Sequence, residues 1–364
     1  MKAGREHVVD FHGSFHYLAD RYLVFNCAED NLNQFWEGSP SPKLTAQLLE
    51  WASSQITGLA QALAAIHDDL KGAHGDIAPH NILRFPGPAK EELGTLKFAD
   101  FEMAQFPSTP KQDYRSTGST FRYFPLYCDP TYEPPEYRLN MNDPANVILP
   151  TRQSDVWSFG GVLLDFVTWL LCGLKGVREF SAKRQEEQEK AIKVDSFFKL
   201  GNDSRTRPQL KKSVIDWMNK LNAHNKRSEW TNALVDLIQN GMMQTNPSKR
   251  SASRQLSARL LKLDENLRRP TGDSVAKALP NTGSSSTLIR QRIHLRYPSI
   301  AKLAEALNVL FDSGNWELEV SATTIGPDIL LTVSGLVIAN SSLTLGLYSS
   351  SVGETGLSSC SLGY

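Results

Sequence analysis

The spacing of apolar positions predicts a long amphipathic helix early in the chain. From Leu44 onward, apolar residues recur three or four positions apart, at Leu48, Ala52, Ile56, Leu59, Leu63 and Ile66. This spacing places them on one face of an α-helix. We therefore expect a core helix that ends near residues 67–72.

Short apolar runs rich in β-branched and aromatic residues predict strands on both sides of that helix. Residues 7–15 and 21–27 are two such runs, and the polar positions between them indicate a hairpin. Residues 82–84 and 96–99 flank a Pro-Gly-Pro turn and indicate a second, smaller hairpin. Residues 101–132 have no periodicity, which predicts a long loop of the kind that is usually functional.

The sequence between residues 154 and 238 predicts further helices. Residues 154–164 are apolar on nearly every side, so this helix should lie in the middle of a domain, with Ser154 as its candidate N-cap. Helical patterns return at residues 210–221 and 230–238. Residues 181–193 carry charges of alternating sign, which is typical of a solvated helix face or insert.

The composition favours some classes of protein over others but does not indicate a function. The 364 residues include 39 Lys plus Arg and 39 Asp plus Glu, so the charge balance does not favour nucleic acid as a partner. Four scattered cysteines without a CxxC pair are typical of free thiols in a reducing compartment. Since no apolar run approaches the roughly 18 residues of a membrane span, we expect an intracellular protein of the cytoplasm or nucleus.

Two carboxylates and one carboxamide on short predicted loops form a candidate chemical site. Asp76 and Asn81 lie five positions apart, between the long helix and the small hairpin, and Asp100 follows that hairpin. In metal-assisted phosphoryl transfer, one carboxylate orients the hydroxyl nucleophile and receives its proton. An Asn and a second Asp hold magnesium on the nucleotide phosphates. The spacing of these three residues suits that chemistry.

Several motifs around this site resemble those of eukaryotic protein kinases. Residues 74–81 (HGDIAPHN) and Asp100-Phe101 resemble the HRDxxxxN and DFG motifs. Residues 132–136 (YEPPE), 154–160 (SDVWSFG) and 242–250 resemble the APE motif, the central helix and the terminal arginine segment of the family. The resemblance covers residues 7–263 and is to a serine/threonine kinase-like catalytic domain. These motifs make a small-molecule kinase of related fold the weaker match.

The resemblance implies an α+β protein kinase-like fold with a mainly helical large lobe and a remnant of the β-rich small lobe. Residues 1–30 would form the small-lobe remnant and hinge, and residues 31–263 the large lobe. Residues 264–364 are rich in Ser, Gly, Thr and Leu and have few charges near the end. We expect them to form a low-complexity, largely disordered tail.

The resemblance also implies ATP and magnesium as cofactors and a protein as substrate or partner. Asp76 would be the catalytic base, with Asn81 and Asp100 as magnesium ligands. The nucleotide would be bound by the gatekeeper, the hinge and a residue under the adenine: Phe25, Asn26, Cys27, Ala28 and Leu83. Structural support would come from a hydrophobic stack, a loop-binding aspartate and a buried ion pair: His74 with Phe101, Asp155, and Glu136 with Arg250.

The sequence departs from the family pattern in ways that should weaken catalysis. It contains no glycine-rich GxGxxG loop and no VAIK-type lysine, because it begins just before the fourth small-lobe strand, so we expect an N-terminally truncated domain. Gly75 replaces the Arg before the catalytic Asp, and Ala78 replaces a phosphate-binding Lys. Glu102 replaces the Gly of DFG, and Asp129 replaces a Thr. This charge change should slow phosphoryl transfer.

Two functions therefore remain open at this stage. The first is phosphoryl transfer from magnesium-ATP to Ser or Thr hydroxyls of proteins, weak or absent in the truncated chain. The second is a pseudokinase or interaction scaffold that binds a partner protein without catalysis. The sequence gives no indication of the oligomeric state.

Overall fold

The protein is described by a computed structural model that covers residues 5–17, 20–87, 93–106, 128–140, 149–187, 194–200 and 207–269, with five strands between residues 292 and 349. The chain divides into two compact units. The first comprises residues 1–9 and 30–272, and the second comprises residues 10–29 and 273–364. The candidate catalytic residues all belong to the first unit.

The first unit is mainly helical. Its described part contains seven α-helices: α1 (Leu32–Gly38), α2 (Ala46–Ala64), α3 (Pro135–Asn140), α4 (Arg152–Glu186), α5 (Lys212–Asn222), α6 (Glu229–Leu237) and α7 (Ser253–Arg268). A π-turn, Ala65–Asp69, continues α2. The predicted apolar face of α2 is buried, so this helix is part of the core.

Small antiparallel sheets complete the first unit. Strands β3 (Asp30–Asn31), β4 (Ile82–Phe85) and β5 (Thr95–Phe98) form one sheet, and β6 (Phe198–Lys199) pairs with β7 (Gln209–Leu210). In the β4–β5 hairpin, Ile82 lies opposite Phe98. The residues that precede β4 and follow β5 therefore lie at the same end of the hairpin.

Helix α4 runs through the core of the first unit. Residues 154–171 of this helix are buried on every face, and Trp157, Phe159, Phe166 and Trp169 are all at most 1% exposed. The helix is long and apolar enough to cross a membrane, but 89% of its most apolar window is buried inside the protein. An all-round apolar helix with this burial is a core helix.

The start of α4 lies one turn earlier than the sequence predicts. Thr151, not Ser154, is the N-cap, because the Thr151 hydroxyl accepts a hydrogen bond from the Ser154 N–H. The Ser154 hydroxyl in turn accepts one from the Thr151 N–H at 2.9 Å. This reciprocal capping box makes Ser154 the third residue of the helix, so its prediction as the N-cap is wrong.

The C-terminal half of α4 continues into the charged stretch beyond a kink at Gly173. The φ angle of Gly173 is +70°, and a Cβ there would lie 2.6 Å from the Pro40 carbonyl oxygen, so only glycine fits. Beyond the kink, the side chain of Arg184 is 1% exposed. The prediction of a solvated face over residues 181–193 is therefore wrong at Arg184. Residues 188–193 lie outside the described residues.

The described part of the second unit is formed mainly by strands. Strand β2 (Asp20–Asn26) pairs with β1 (Phe11–Tyr17) and with β12 (Leu345–Ser349). Strand β10 (Asp328–Ile338) pairs with β8 (Arg292–Leu295), β9 (Trp316–Ile325) and β11 (Ser341–Ser342). The predicted limits of the small-lobe remnant, the large lobe and the disordered tail stay predictions.

The first predicted hairpin begins later than its apolar pattern suggests. Strand β1 starts at Phe11, whereas residues 7–9 belong to the first unit. There, the His7 Nδ1 lies 2.7 Å from the Leu96 carbonyl oxygen, and Val8 forms a bridge with Phe98.

The carboxylate of Glu187 caps the N-terminus of α5. Its two oxygens accept hydrogen bonds from the N–H groups of Lys212 at 2.8 Å and Ser213 at 2.7 Å. Partial burial opposes ionisation of Glu187, but the N–H groups outweigh it and lower its pKa to about 2. A carboxylate at a helix N-terminus is also favoured by the helix dipole.

Replacing Glu187 by Gln should lower the free energy of unfolding by about 0.5–2 kcal/mol at pH 7, as loss of a helix cap does. A lowered folded-state pKa contributes stability that is present above the ordinary value of 4.5 and is lost as the pH falls toward 2. The deficit, measured by urea denaturation from pH 8 to pH 3, should therefore be constant above pH 5 and shrink below 4.5. Glu186→Gln, at an exposed neighbour, is the control. A deficit that does not change with pH would contradict the capping role.

Candidate active site

The carboxylate of Asp155, near the start of α4, binds the backbone of the loop that carries Asp76. Its Oδ2 accepts a hydrogen bond from the His74 N–H at 2.7 Å, and its Oδ1 accepts one from the Gly75 N–H at 2.9 Å. Asp155 is 1% exposed. Buried, charge-assisted hydrogen bonds of this kind are strong and directional. They attach the loop to the core helix directly before Asp76.

A second residue contacts Asp155, and the sequence does not predict this contact. His67, in the π-turn after α2, is buried, and its Nε2 lies 2.8 Å from the Asp155 Oδ2. The sequence carries no signal for this contact, because His67 and Asp155 are 88 positions apart. His67 thus links the end of α2 to the start of α4.

The side chain of Asp76 is held at both carboxylate oxygens. Oδ1 accepts a hydrogen bond from the Asp129 N–H at 3.2 Å, and Oδ2 accepts one from the Asn81 Nδ2 at 2.8 Å. Burial raises the pKa of Asp76 above its usual value, although the Asp129 N–H, His80 and His74 act in the opposite direction. A carboxylate with a raised pKa is better matched to proton transfer near neutral pH.

Asn81 and Asp100 lie at the same end of the β4–β5 hairpin. Asn81 directly precedes β4, and its carbonyl oxygen accepts a hydrogen bond from the Ala99 N–H at 2.9 Å, next to Asp100. Asp100 has a φ angle of +58°, a left-handed conformation that is uncommon for residues other than glycine. Such conformations cluster at functional sites, where the surroundings hold them in place.

His74 and Phe101, two of the predicted support residues, are in contact. Their ring centroids lie 4.7 Å apart. The His74 Nε2 is 3.0 Å from the carbonyl oxygen of Ala99, so the histidine also contacts the backbone just before Asp100. These contacts join the loop of Asp76 to the segment of Asp100.

Arg250 and Glu136, the predicted ion pair, form two parallel hydrogen bonds of 2.7 Å each. The Arg250 side chain is fully buried, and that of Glu136 is 19% exposed. The same guanidinium donates to the carbonyl oxygen of Gln153 at 2.7 Å, in the first turn of α4. The pair therefore attaches α3 to the start of the core helix.

The predicted nucleotide-binding residues are divided between the two units. Leu83 lies on β4 in the first unit, opposite Lys97. Phe25 and Asn26 end β2 in the second unit, and Cys27 and Ala28 follow them. The role of these five residues in binding adenine stays a prediction.

The departures from the kinase pattern have a structural basis at Gly75 and Asp129. Gly75 has a φ angle of +90°, and a Cβ there would lie 2.6 Å from the Met103 carbonyl oxygen, so the loop has no room for an arginine. The Asp129 Oδ1 accepts a hydrogen bond from the Thr131 N–H at 2.9 Å. Its Oδ2 is 3.6 Å from the His80 Nδ1. A carboxylate and an imidazole thus lie beside Asp76.

Comparison with known families supports the motif analysis. A family model described as the protein kinase domain matches residues 1–260. The chain belongs to the protein kinase family. The predicted α+β kinase-like fold is confirmed, since helices dominate the first unit and its sheets are small. No curated protein matches the chain. In this kinase domain, the HGD loop (residues 74–76), Asn81 and the Asp100-Phe101 pair have the contacts described above.

Replacing Gly75 by Ala should destabilise the kinase domain by about 1–3 kcal/mol, the usual cost of a strained backbone position. The added Cβ would meet both the Met103 carbonyl oxygen and Pro150 at a positive φ angle. Urea denaturation would measure the change. Gly38→Ala is the matched control, because a Cβ at Gly38 meets no atom within 4 Å. Equal stabilities of the two variants would contradict this account of the loop.

Replacing Arg250 by Met should lower the free energy of unfolding by about 3–5 kcal/mol, because the partly buried Glu136 carboxylate would lose both of its hydrogen bonds from the guanidinium. The control is Lys212→Met, which breaks a pair with Asp216 whose side chains are 77% and 57% exposed. Exposed pairs of this kind contribute at most about 1 kcal/mol. Urea denaturation would measure both losses. Losses of similar size in the two variants would show that the Arg250–Glu136 pair contributes no more to the free energy of unfolding than an exposed pair does.

Proposed function

We propose that this kinase domain transfers the γ-phosphoryl group of magnesium-ATP to Ser or Thr hydroxyls of a protein. The observation that carries the proposal is the pair of hydrogen bonds from Asn81 and from the Asp129 N–H to the Asp76 carboxylate. These bonds orient the Asp76 carboxylate next to Asn81, and phosphoryl transfer requires both a base and oxygen ligands for the metal.

Asp76 is the general base in this proposal. Its carboxylate would accept a hydrogen bond from the acceptor hydroxyl and receive its proton as the new oxygen–phosphorus bond forms and the bond from the γ-phosphorus to the leaving ADP oxygen breaks. The raised pKa of Asp76, caused mainly by burial, supports this role because it increases the affinity of the carboxylate for the proton.

Asn81 and Asp100 are the proposed magnesium ligands. Both supply hard oxygen donors, which magnesium prefers, and the ion normally completes its shell with water and phosphate oxygens. The Asn81 Nδ2 donates to both the Asp76 side chain and its carbonyl oxygen, at 2.8 and 2.9 Å, which leaves the amide oxygen for the metal. When held there, magnesium would supply positive charge that neutralises the charge on the phosphate groups.

The charges around Asp76 favour slow transfer. Ala78 occupies the position where the family has a phosphate-binding lysine, whereas Asp129 and Glu102 add negative charge near the reacting groups. Because phosphoryl transfer depends mostly on electrostatic stabilisation, these changes should lower the rate. Among the ion pairs of the described residues, Asp129 is paired with His80, whose Nδ1 lies 3.6 Å from the Asp129 Oδ2.

The same charge pattern favours a second candidate function. A pseudokinase scaffold, which binds a partner protein without catalysis, requires the folded domain but not the cationic groups of a transfer site. Under both functions we propose a protein as the partner and expect neither nucleic acid nor a membrane span. Binding of magnesium-ATP distinguishes the two functions.

Asp76→Asn should reduce phosphate transfer to a generic acceptor such as dephosphorylated casein by about 10²–10⁴-fold, the usual contribution of a general base. Calorimetry should find that the variant binds magnesium-ATP as the wild type does. Asp216→Asn, at an exposed position on α5, should change neither result. Full activity in Asp76→Asn would exclude its role as the base. A wild-type chain that neither binds magnesium-ATP nor transfers phosphate would favour the scaffold.

A further inference from the structure

Arg184 is a buried cation that the proposed mechanism does not use. It lies near the end of α4 and is 1% exposed. Its guanidinium carbon lies over the rings of Phe180 and Phe197, 4.0 and 4.2 Å from their centroids. A buried charge is costly unless it is paired and hydrogen-bonded, so its partners define what it does.

Two carboxylates share the charge of Arg184. Its Nη1 donates to the Asp165 Oδ1 and its Nη2 to the Asp195 Oδ2, both at 3.2 Å. Its Nε also donates to the Asp195 carbonyl oxygen at 2.7 Å. We call Arg184, Asp165 and Asp195 the Arg184 cluster. Asp165 lies on α4 and Asp195 just before β6, so the cluster joins two parts of the first unit.

The Arg184 cluster also binds two consecutive residues of the segment next to Asp76. The Tyr132 hydroxyl donates to the Asp165 Oδ2 at 2.9 Å, and the Thr131 Oγ1 donates to the Asp195 Oδ1 at 2.6 Å. Each carboxylate therefore uses one oxygen for the arginine and the other for the segment. The guanidinium fixes the carboxylates, and the carboxylates fix the segment.

The other end of this segment contacts the proposed base. The Asp129 N–H donates to the Asp76 Oδ1 at 3.2 Å, and the Asp129 Oδ1 accepts from the Thr131 N–H. Residues 129–132 are thus attached to Asp76 at one end and to the Arg184 cluster at the other. A cavity of about 390 Å³ borders this segment and is lined by Asp129, Thr131, Arg184 and Asp195, among others.

We propose that Arg184 is a positioning residue for acceptor binding: through Asp165 and Asp195 it holds residues 129–132 beside Asp76. An acceptor polypeptide whose hydroxyl reaches Asp76 must lie against this segment, so the position of the segment affects how tightly the acceptor binds. The effect on the acceptor rests on the proposed transfer function. The attachment of the segment does not.

The test removes only the bonds between the Arg184 cluster and residues 129–132. If the cluster merely stabilised the fold, this change should not affect acceptor binding specifically. Thr131→Val and Tyr132→Phe together remove both hydroxyls, keep the shape of the side chains and leave Arg184 with its carboxylates. The matched control is Thr57→Val with Tyr137→Phe. It removes the hydroxyls of two buried residues elsewhere, which bond to the Leu260 carbonyl oxygen and to the Ser154 hydroxyl.

The first measurement is steady-state transfer to dephosphorylated casein by the full chain. The Thr131→Val/Tyr132→Phe variant should raise KM for casein by about tenfold or more, as loss of hydrogen bonds to charged carboxylates would. Its KM for ATP should match that of the wild type. The control variant should change neither constant. Equal KM values for casein in the two variants would overturn the proposal.

The second measurement is amide hydrogen exchange, which needs no catalysis. The N–H groups of Asp129, Thr131 and Tyr132 all donate hydrogen bonds within or next to the segment. They should exchange faster in the Thr131→Val/Tyr132→Phe variant than in the control. If the wild type transfers no phosphate to casein, the proposed function fails and this comparison alone decides the inference. Unchanged exchange would then overturn it.

Discussion

The buried carboxylate of Asp155 is the group on which the candidate site depends. It accepts hydrogen bonds from two backbone N–H groups of the HGD loop and lies 2.8 Å from a ring nitrogen of His67. Without such partners, a carboxylate in this place would be strongly destabilising. The same bonds fix the backbone directly before Asp76. The stability of the core and the geometry of the proposed base therefore have a common cause.

Helix α4 holds the segments around Asp76 at several points along its length. Its first turns hold the HGD loop through Asp155 and accept a hydrogen bond from Arg250 at the Gln153 carbonyl oxygen. Asp165 and Arg184, further along, hold the segment that contacts the other side of Asp76. The part of α4 that is buried on every face, residues 154–171, is a rigid support, because any displacement would disturb the close packing around it. The loops of the site can thus be irregular while their positions are defined.

Much of the site could be predicted because its residues belong to short local motifs. Asp76 and Asn81 could be singled out from the chain itself, and Asp155, Glu136 and Arg250 from resemblance. His67 and Arg184 could not be assigned their contacts, because burial of a polar side chain depends on partners that fold next to it. Arg184 lies in a charged stretch that is typical of a solvated face, yet Phe197 and Asp195 enclose it. The start of α4 was missed because Thr151 and Ser154 both suit an N-cap.

The most direct test of this account is amide hydrogen exchange of His74 and Gly75, followed by NMR, in an Asp155→Asn variant. Asn is nearly isosteric with Asp but lacks its charge and can present only one acceptor oxygen. If the Asp155 carboxylate holds the HGD loop, both amides should exchange about tenfold faster or more, as expected from the loss of a charge-assisted hydrogen bond. Amides of α7, remote in sequence, provide the reference. Unchanged exchange at His74 and Gly75 would contradict the claim that Asp155 organises the site.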